Sequence, residues 1–181
     1  MRVIAGEHRG RTMLAPRGRE TRPTSDRVRE AVFSILGGVD GLRVLDLFAG
    51  SGALAIEALS RGAAEATLVD SSAAAIAAAR RNLEALGLGA EVRRQAALTF
   101  LRNAAASRRH YDLVFVDPPY RHASGLGREL AAALRPVLAP GARVVCESDR
   151  RAPLELAPGT LEPLAERIYG DTLIKILHVP T

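Results

Sequence analysis

Leu42-Arg43-Val44-Leu45-Asp46-Leu47-Phe48-Ala49-Gly50-Ser51-Gly52-Ala53-Leu54 is the stretch on which the fold turns. A strand-like apolar run over 42–47 passes through an acid into a glycine loop, and a helical stretch over 53–61 follows. Gly50 and Gly52 lack a Cβ, so the backbone can turn sharply and a ligand can approach it closely. The helix opening at Ala53 would aim its free N–H groups at the same place.

The same alternation continues outward. Further strands are predicted at 66–70, 91–94, 112–117 and 142–147, with helices over 72–86, 97–106 and 125–137 between them. Such a β-α-β-α succession predicts a parallel sheet covered by helices on both faces. The end of the chain breaks the pattern. Leu164 to Ile168 and Leu173 to Val179 read as strands joined through Tyr169-Gly170-Asp171-Thr172, so they should pair antiparallel. Upstream, Val3-Ile4-Ala5 and Thr12-Met13-Leu14 predict a small hairpin, and Pro23-Thr24-Ser25-Asp26 a helix start. Val28, Ala31, Val32 and Ile35 form that helix's apolar stripe, leaving Arg22, Arg27 and Arg29 outside it. The expected division is an N-terminal basic hairpin or arm, 1–23, and one α/β domain, 24–181. That domain is a Rossmann-like, seven-stranded sheet, mostly parallel with a C-terminal antiparallel hairpin. A parallel sheet that finishes this way fits an S-adenosylmethionine-dependent methyltransferase better than a plain dinucleotide fold.

Two acids separate those ligands. Gly50-Ser51-Gly52-Ala53-Leu54-Ala55 satisfies a loose G-x-G-x-x-A pattern that would also admit NAD. Asp46 precedes the glycines, where a carboxylate suits an ammonium and sits poorly beside a pyrophosphate. Asp70 ends the second strand, 18 residues after Gly52, where it can accept hydrogen bonds from ribose hydroxyls. A cationic methionine carrying a ribose and no phosphates matches both acids; NAD matches only the second. Phe48, Ser51, Ser71, Ala96 and Ala97 complete the expected donor-binding set. The plain alternatives are a turn or capping carboxylate for Asp46 and a strand-end acid for Asp70.

Asp117-Pro118-Pro119-Tyr120 follows the apolar run Leu113-Val114-Phe115-Val116 and so falls at a strand's carboxyl end, the ligand-binding edge of open α/β sheets. Hydrogen bonds from an aromatic amine to Asp117 and to the Pro118 carbonyl would favour a pyramidal nitrogen and expose its lone pair. Tyr120 could stack on the base, worth about 1–3 kcal/mol. The prolines hold the acceptors still. A base inside a helix cannot reach such a pocket, so the target must be unpaired or flipped out. The competing reading of Asp-Pro-Pro is a strand-ending turn. Glu147, which ends the fifth predicted strand, is expected to be an exposed strand-end acid. Four histidines without a partner pattern and a lone Cys146 offer no metal-ligand spacing, so no metal is expected. Cys146 reads as a packed core thiol.

Charge is concentrated at one end. Residues 1–30 hold eight Arg and four acids, a net of +4, whereas the whole chain is only +5. An Arg-rich leader beside a near-neutral domain is what contact with a phosphate backbone needs, and Arg9, Arg11, Arg22, Arg27 and Arg29 are the candidate nucleic-acid contacts. Lys175 is the only lysine, so part of this richness in Arg is compositional. No apolar stretch reaches a membrane-spanning length and no secretory signal is present, which makes a cytoplasmic site the expectation.

Three segments now stand together: Arg22-Pro23-Thr24-Ser25-Asp26-Arg27-Val28-Arg29-Glu30, the loop from Leu45 to Leu54, and Asp117-Pro118-Pro119-Tyr120. With Glu57-Ala58-Leu59-Ser60-Arg61-Gly62-Ala63 and Tyr169-Gly170-Asp171-Thr172, they resemble the bacterial 16S rRNA guanine-N2 methyltransferases of the RsmD type over nearly the whole chain. The resemblance implies methylation of a guanine amine in small-subunit rRNA, within an assembled or assembling particle, by an enzyme expected to be a monomer. It implies S-adenosylmethionine held around Gly50, Gly52 and Asp70, with Asp117 and Tyr120 at the base and Arg22 to Arg29 closing over the donor. Many methyltransferases place an Asp or Asn after the third strand to bind adenine; here the residues are Gln95-Ala96-Ala97, and recognition falls to Gln95 or to the backbone near Ala96 and Ala97. Competing functions are a DNA base methyltransferase, a non-catalytic RNA-binding factor and an NAD-dependent oxidoreductase.

Overall fold

Val44, Leu45 and Leu47 are fully buried although they point to both sides of their strand, as a strand covered on both faces requires. This strand, β1 (Arg43–Leu47), is the centre of the sheet. The computed structural model describes residues 1–15, 25–119, 123–156 and 161–180, with the backbone alone for 123–125. β2 (Glu65–Asp70) and β4 (Tyr111–Val116) flank β1 in parallel. β3 (Glu91–Arg94) lies outside β2, and β5 (Leu138–Asp149) outside β4. The chain then reverses. β6 (Glu162–Tyr169) and β7 (Thr172–His178) form an antiparallel hairpin, with β7 placed between β5 and β6. The order is β3-β2-β1-β4-β5-β7-β6, the expected seven strands. The crossover from β3 back to β4 makes the β1/β4 boundary the switch point, where such sheets bind ligands.

Two apolar layers enclose the sheet. α1 (Asp26–Leu36), α2 (Ala53–Ser60) and α3 (Ala73–Leu86) bury Phe33, Ile56 and Leu83 against Val44, Leu68 and Phe115. α4 (Ala97–Ala106) and α5 (Ala123–Leu134) bury Leu101 and Leu130 against Leu45, Val114 and Val144 on the other face. α1 starts where Ser25 Oγ accepts Val28 N–H, with Asp26 in the first turn. Its buried side is Val28, Arg29, Val32, Phe33 and Leu36, so the expected stripe is rotated: Ala31 and Ile35 are only half-buried and Arg29 is inside. α5 also ends earlier than the predicted 137. Residues Arg135–Val137 form a 3₁₀ turn, because Pro136 has no N–H for an α-helical bond. β5 is longer at both ends than the expected 142–147.

The N-terminal hairpin forms, but narrowly. Only Arg2 and Thr12 make a β-bridge. The Ile4 and Ala5 N–H groups donate instead to Glu57 Oε2 (2.8 Å) and Oε1 (3.0 Å) on α2, which ends the ladder. Glu57 is fully buried and also accepts Arg61 Nε at 2.7 Å. Val3 and Met13 join the core under α1 and α2. At the far end, Asn82 of α3 accepts Leu14 N–H and donates to the carbonyls of Leu14 and Ser51. The boundary expected at 23/24 lies outside the described residues.

One glycine locks this docking. Gly6 has φ +83°, and a Cβ there would lie 1.7 Å from the Ser60 carbonyl oxygen. Gly6→Ala therefore combines left-handed strain with a backbone collision. It is expected to cost about 3 kcal/mol or more, read as a lowered urea midpoint with an unchanged m-value.

Candidate active site

β1 ends in a loop that alternates through positive φ at Phe48 (62°), Gly50 (56°) and Gly52 (80°). The two glycines differ in what surrounds them. A Cβ on Gly52 would meet Leu68 Cδ2 at 2.6 Å, so this position is closed by packing against β2. A Cβ on Gly50 would meet none of the described residues within 4 Å, so its backbone faces away from them. Phe48 is the non-glycine left-handed residue of the loop, a conformation that costs about 1–3 kcal/mol and concentrates at ligand sites.

Asp70 pins the loop from the neighbouring strand. Its Oδ2 accepts Gly50 N–H at 2.9 Å and its Oδ1 accepts Ser72 N–H at 2.8 Å. Asp46 lies beneath, 2% exposed, with Oδ2 accepting Ala55 N–H at 3.1 Å. Burial, opposed by that hydrogen bond and assisted by the Asp70 charge, pushes its carboxyl up to about 7. Ser51 is buried, while Ser71 is exposed and its carbonyl accepts Arg94 Nε at 3.5 Å. Ala96 caps α4 with no side-chain hydrogen bond, and Gly52 caps α2 likewise. Neither helix is capped by its own N-cap side chain at this edge of the sheet; in α2 the Asp46 carboxylate takes the first-turn N–H of Ala55 instead.

Asp117 follows β4 at the same edge. Val116 is in register with Leu47 of β1 and Cys146 of β5, so Asp117 stands one residue past the switch point. It is half-buried, Pro118 is buried and Pro119 exposed. Burial, together with the nearby carboxylates of Glu147 and Asp46, holds its carboxyl well above the ordinary carboxylate range. Glu147 overturns the expectation of an exposed acid: it is 6% exposed, because β5 runs on to Asp149 and keeps the position within the sheet. Strand register, not local sequence, carries the signal. Arg143-Val144-Val145-Cys146 pairs with Leu113-Val114-Phe115-Val116 residue for residue, which puts Glu147 beside Asp117. Tyr120 and Arg22 lie outside the described residues.

The arginines divide. Arg9, Arg11 and Arg27 are exposed, and Arg11 Nη2 donates to the Ala85 carbonyl at the end of α3. Arg2, Arg9 and Arg27 line a cleft of about 330 Å³ between the hairpin and α1, with Asp26 and Glu30 on its wall. No residue of the glycine loop lines it. Arg29 must be corrected. It is fully buried, its Nη2 donating to the Arg2 carbonyl and, at 3.0 Å, to Asp26 Oδ1. Nε and Nη1 are buried with no hydrogen-bond partner among the described residues, and burial lowers its pKa. A guanidinium enclosed in this way cannot meet an RNA phosphate; it fastens α1 to the hairpin.

Known proteins match this chain along nearly its whole length. The family model described as Conserved hypothetical protein 95 matches residues 1–178. Ribosomal RNA small subunit methyltransferase D of Escherichia coli (strain K12) is 38% identical over 180 residues, covering 97% of this chain and 88% of that protein. Its namesake in Haemophilus influenzae is 34% identical over 176 residues, covering 94% and 89%. Among solved structures, a hypothetical protein of Thermus thermophilus superposes with a TM-score of 0.82 at 30% identity, covering 100% of this chain and 99% of that one. With a family model matched over 178 residues and relatives more than 30% identical along most of their length, the chain belongs to the Conserved hypothetical protein 95 family, that of the ribosomal RNA small subunit methyltransferase D proteins.

Proposed function

We propose that the protein transfers a methyl group from S-adenosylmethionine to the exocyclic N2 amine of a guanine in 16S rRNA. The observation that carries this reading is the register of β1 with β4, which sets a glycine loop and an Asp-Pro-Pro acceptor at the ends of adjacent strands. The donor fits the residues present. Gly50 offers open backbone, Asp46 a carboxylate under the loop for an ammonium, and Asp70 acceptor oxygens for a ribose. Phe48, Ser51 and Ser71, neighbours of these residues in the chain, would complete the donor site, and the backbone at Ala96 and Ala97, where α4 has no side-chain cap, would meet an adenine ring. S-adenosylmethionine supplies an electrophilic methyl carbon. The chain's task is to place the amine nitrogen about 3 Å from it and in line. Asp117 and the Pro118 carbonyl accept the amine's N–H groups and turn its lone pair toward the donor, and Tyr120 stacks on the base.

Arg9, Arg11 and Arg27, with Arg22 from the neighbouring segment, would contact the RNA backbone, and the cleft bordered by Arg9 and Arg27 supports this. The partner is small-subunit rRNA within the subunit or an assembly intermediate, met by a monomer in the cytoplasm. Among the described residues no helix is long and apolar enough to cross a membrane, and no group of acids, His and Cys forms a metal site. Nucleoside mass spectrometry of rRNA from cells with and without the gene tests the reading. Loss of one N2-methylguanosine from 16S rRNA is expected; an unchanged nucleoside profile would refute it.

A further inference from the structure

Where β4 ends beside β5, two carboxylates stand where one would suffice to hold an amine. With Val116 beside Cys146, Asp117 and Glu147 follow on neighbouring parallel strands, about 4.8 Å apart in backbone spacing. Paired residues of parallel strands project to the same face, so both side chains lie on the side of Phe115 and Val145. Glu147 is nine-tenths buried, and its charge reaches Asp117. β1 and the glycine loop occupy the opposite flank of β4. A base whose amine is gripped at Asp117 with its methyl donor over β1 therefore has the rest of its hydrogen-bonding edge free to lie toward β5.

Bases differ along that edge. Guanine presents its N2 amine beside N1–H, two donors in a row. Adenine and cytosine present an amine beside a bare ring nitrogen, an acceptor. On the guanine-amine reading above, we propose that Glu147 determines base specificity by accepting guanine N1–H while Asp117 and the Pro118 carbonyl take the N2 amine. A bare ring nitrogen would set its lone pair against a carboxylate, a repulsive contact that excludes the wrong base. Sites built to hydrogen-bond one donor reject analogues lacking it by about 10⁴-fold.

The test uses small-subunit particles whose target guanine is replaced by 2-aminopurine, which keeps the C2 amine but has a bare N1. Wild-type protein is expected to methylate guanine at least about 100-fold faster. Glu147→Gln, whose amide can donate to a bare N1, is expected to slow guanine and to narrow the preference at least about tenfold. Wild-type rates within threefold of each other overturn the proposal. So does a Glu147→Gln variant that slows both bases by one factor, since a purely structural role would do that. The wild-type comparison stands even if the variant folds poorly. Wild-type protein that leaves guanine unmethylated defeats the guanine reading itself, and N1 recognition falls with it.

Discussion

Asp117→Ala is expected to lower the single-turnover rate of methyl transfer on the order of 10²- to 10³-fold, the range for removing one preorganised polar group from a reacting centre. Donor affinity should change far less than the rate, because Asp117 follows β4 while the glycine loop follows β1 and is pinned from β2. Asp117→Asn should fall between the two, since an amide oxygen still accepts one N–H of the amine. The pH profile supplies an independent check. Burial and two neighbouring carboxylates raise Asp117, so it holds a proton at pH values where an ordinary aspartate is ionised. The ionised form is the better acceptor for an amine, so the wild-type rate should climb with pH through a limb above the usual carboxylate range. The Asn variant should lose that limb. Rapid-quench rates at saturating donor, from pH 5 to 9, measure both effects; a wild-type rate flat across that interval would refute the role.

Asp46→Asn should make the protein more stable and less able to bind its donor. The sign follows from the direction of the shift. Asp46 is pushed up to about 7 in the folded chain from an ordinary value of 3.8. The folded state therefore keeps a proton that the unfolded state has released, and stability from this group declines as pH rises from about 4 to about 7. The full cost, on the order of 4 kcal/mol, applies above that interval. An uncharged Asn avoids it and can still accept Ala55 N–H. The melting temperature of the variant should exceed wild type at pH 8 and match it near pH 4. Binding runs the other way. A donor ammonium pairs with the ionised carboxylate, so wild-type affinity should rise with pH through about 7, and Asn should weaken it about 10- to 100-fold. Calorimetric titrations at pH 6 and 8, beside thermal scans, separate the opposing effects.

Much of this was legible in residue order. The β1 to α4 boundaries follow from apolar runs broken by glycine and capping residues, and each strand there is short. Gly50, Asp46 and Asp70 could be placed because a loop fixes neighbours in sequence. Glu147 and Arg29 could not be placed from local pattern, since each depends on a partner far along the chain. Glu147 is inside because β7 covers the outer side of β5, pairing Ile174 with it. Arg29 is inside because residues 27 positions earlier bring the Arg2 carbonyl onto α1. Charge suggested solvent in both cases; tertiary packing decided otherwise. The hairpin shows the same limit, for its ladder yields to Glu57, a helix side chain more than 50 residues away.

A single amide has consequences for how these enzymes could be re-engineered. Asn82 Nδ2 is shared between the carbonyls of Leu14 and Ser51, so the last described residues of the hairpin and the middle of the glycine loop hang from one side chain. The hairpin is therefore no interchangeable adaptor. Swapping it between relatives to retarget them would tug on the glycine loop, and a successful graft must carry α3 along with it.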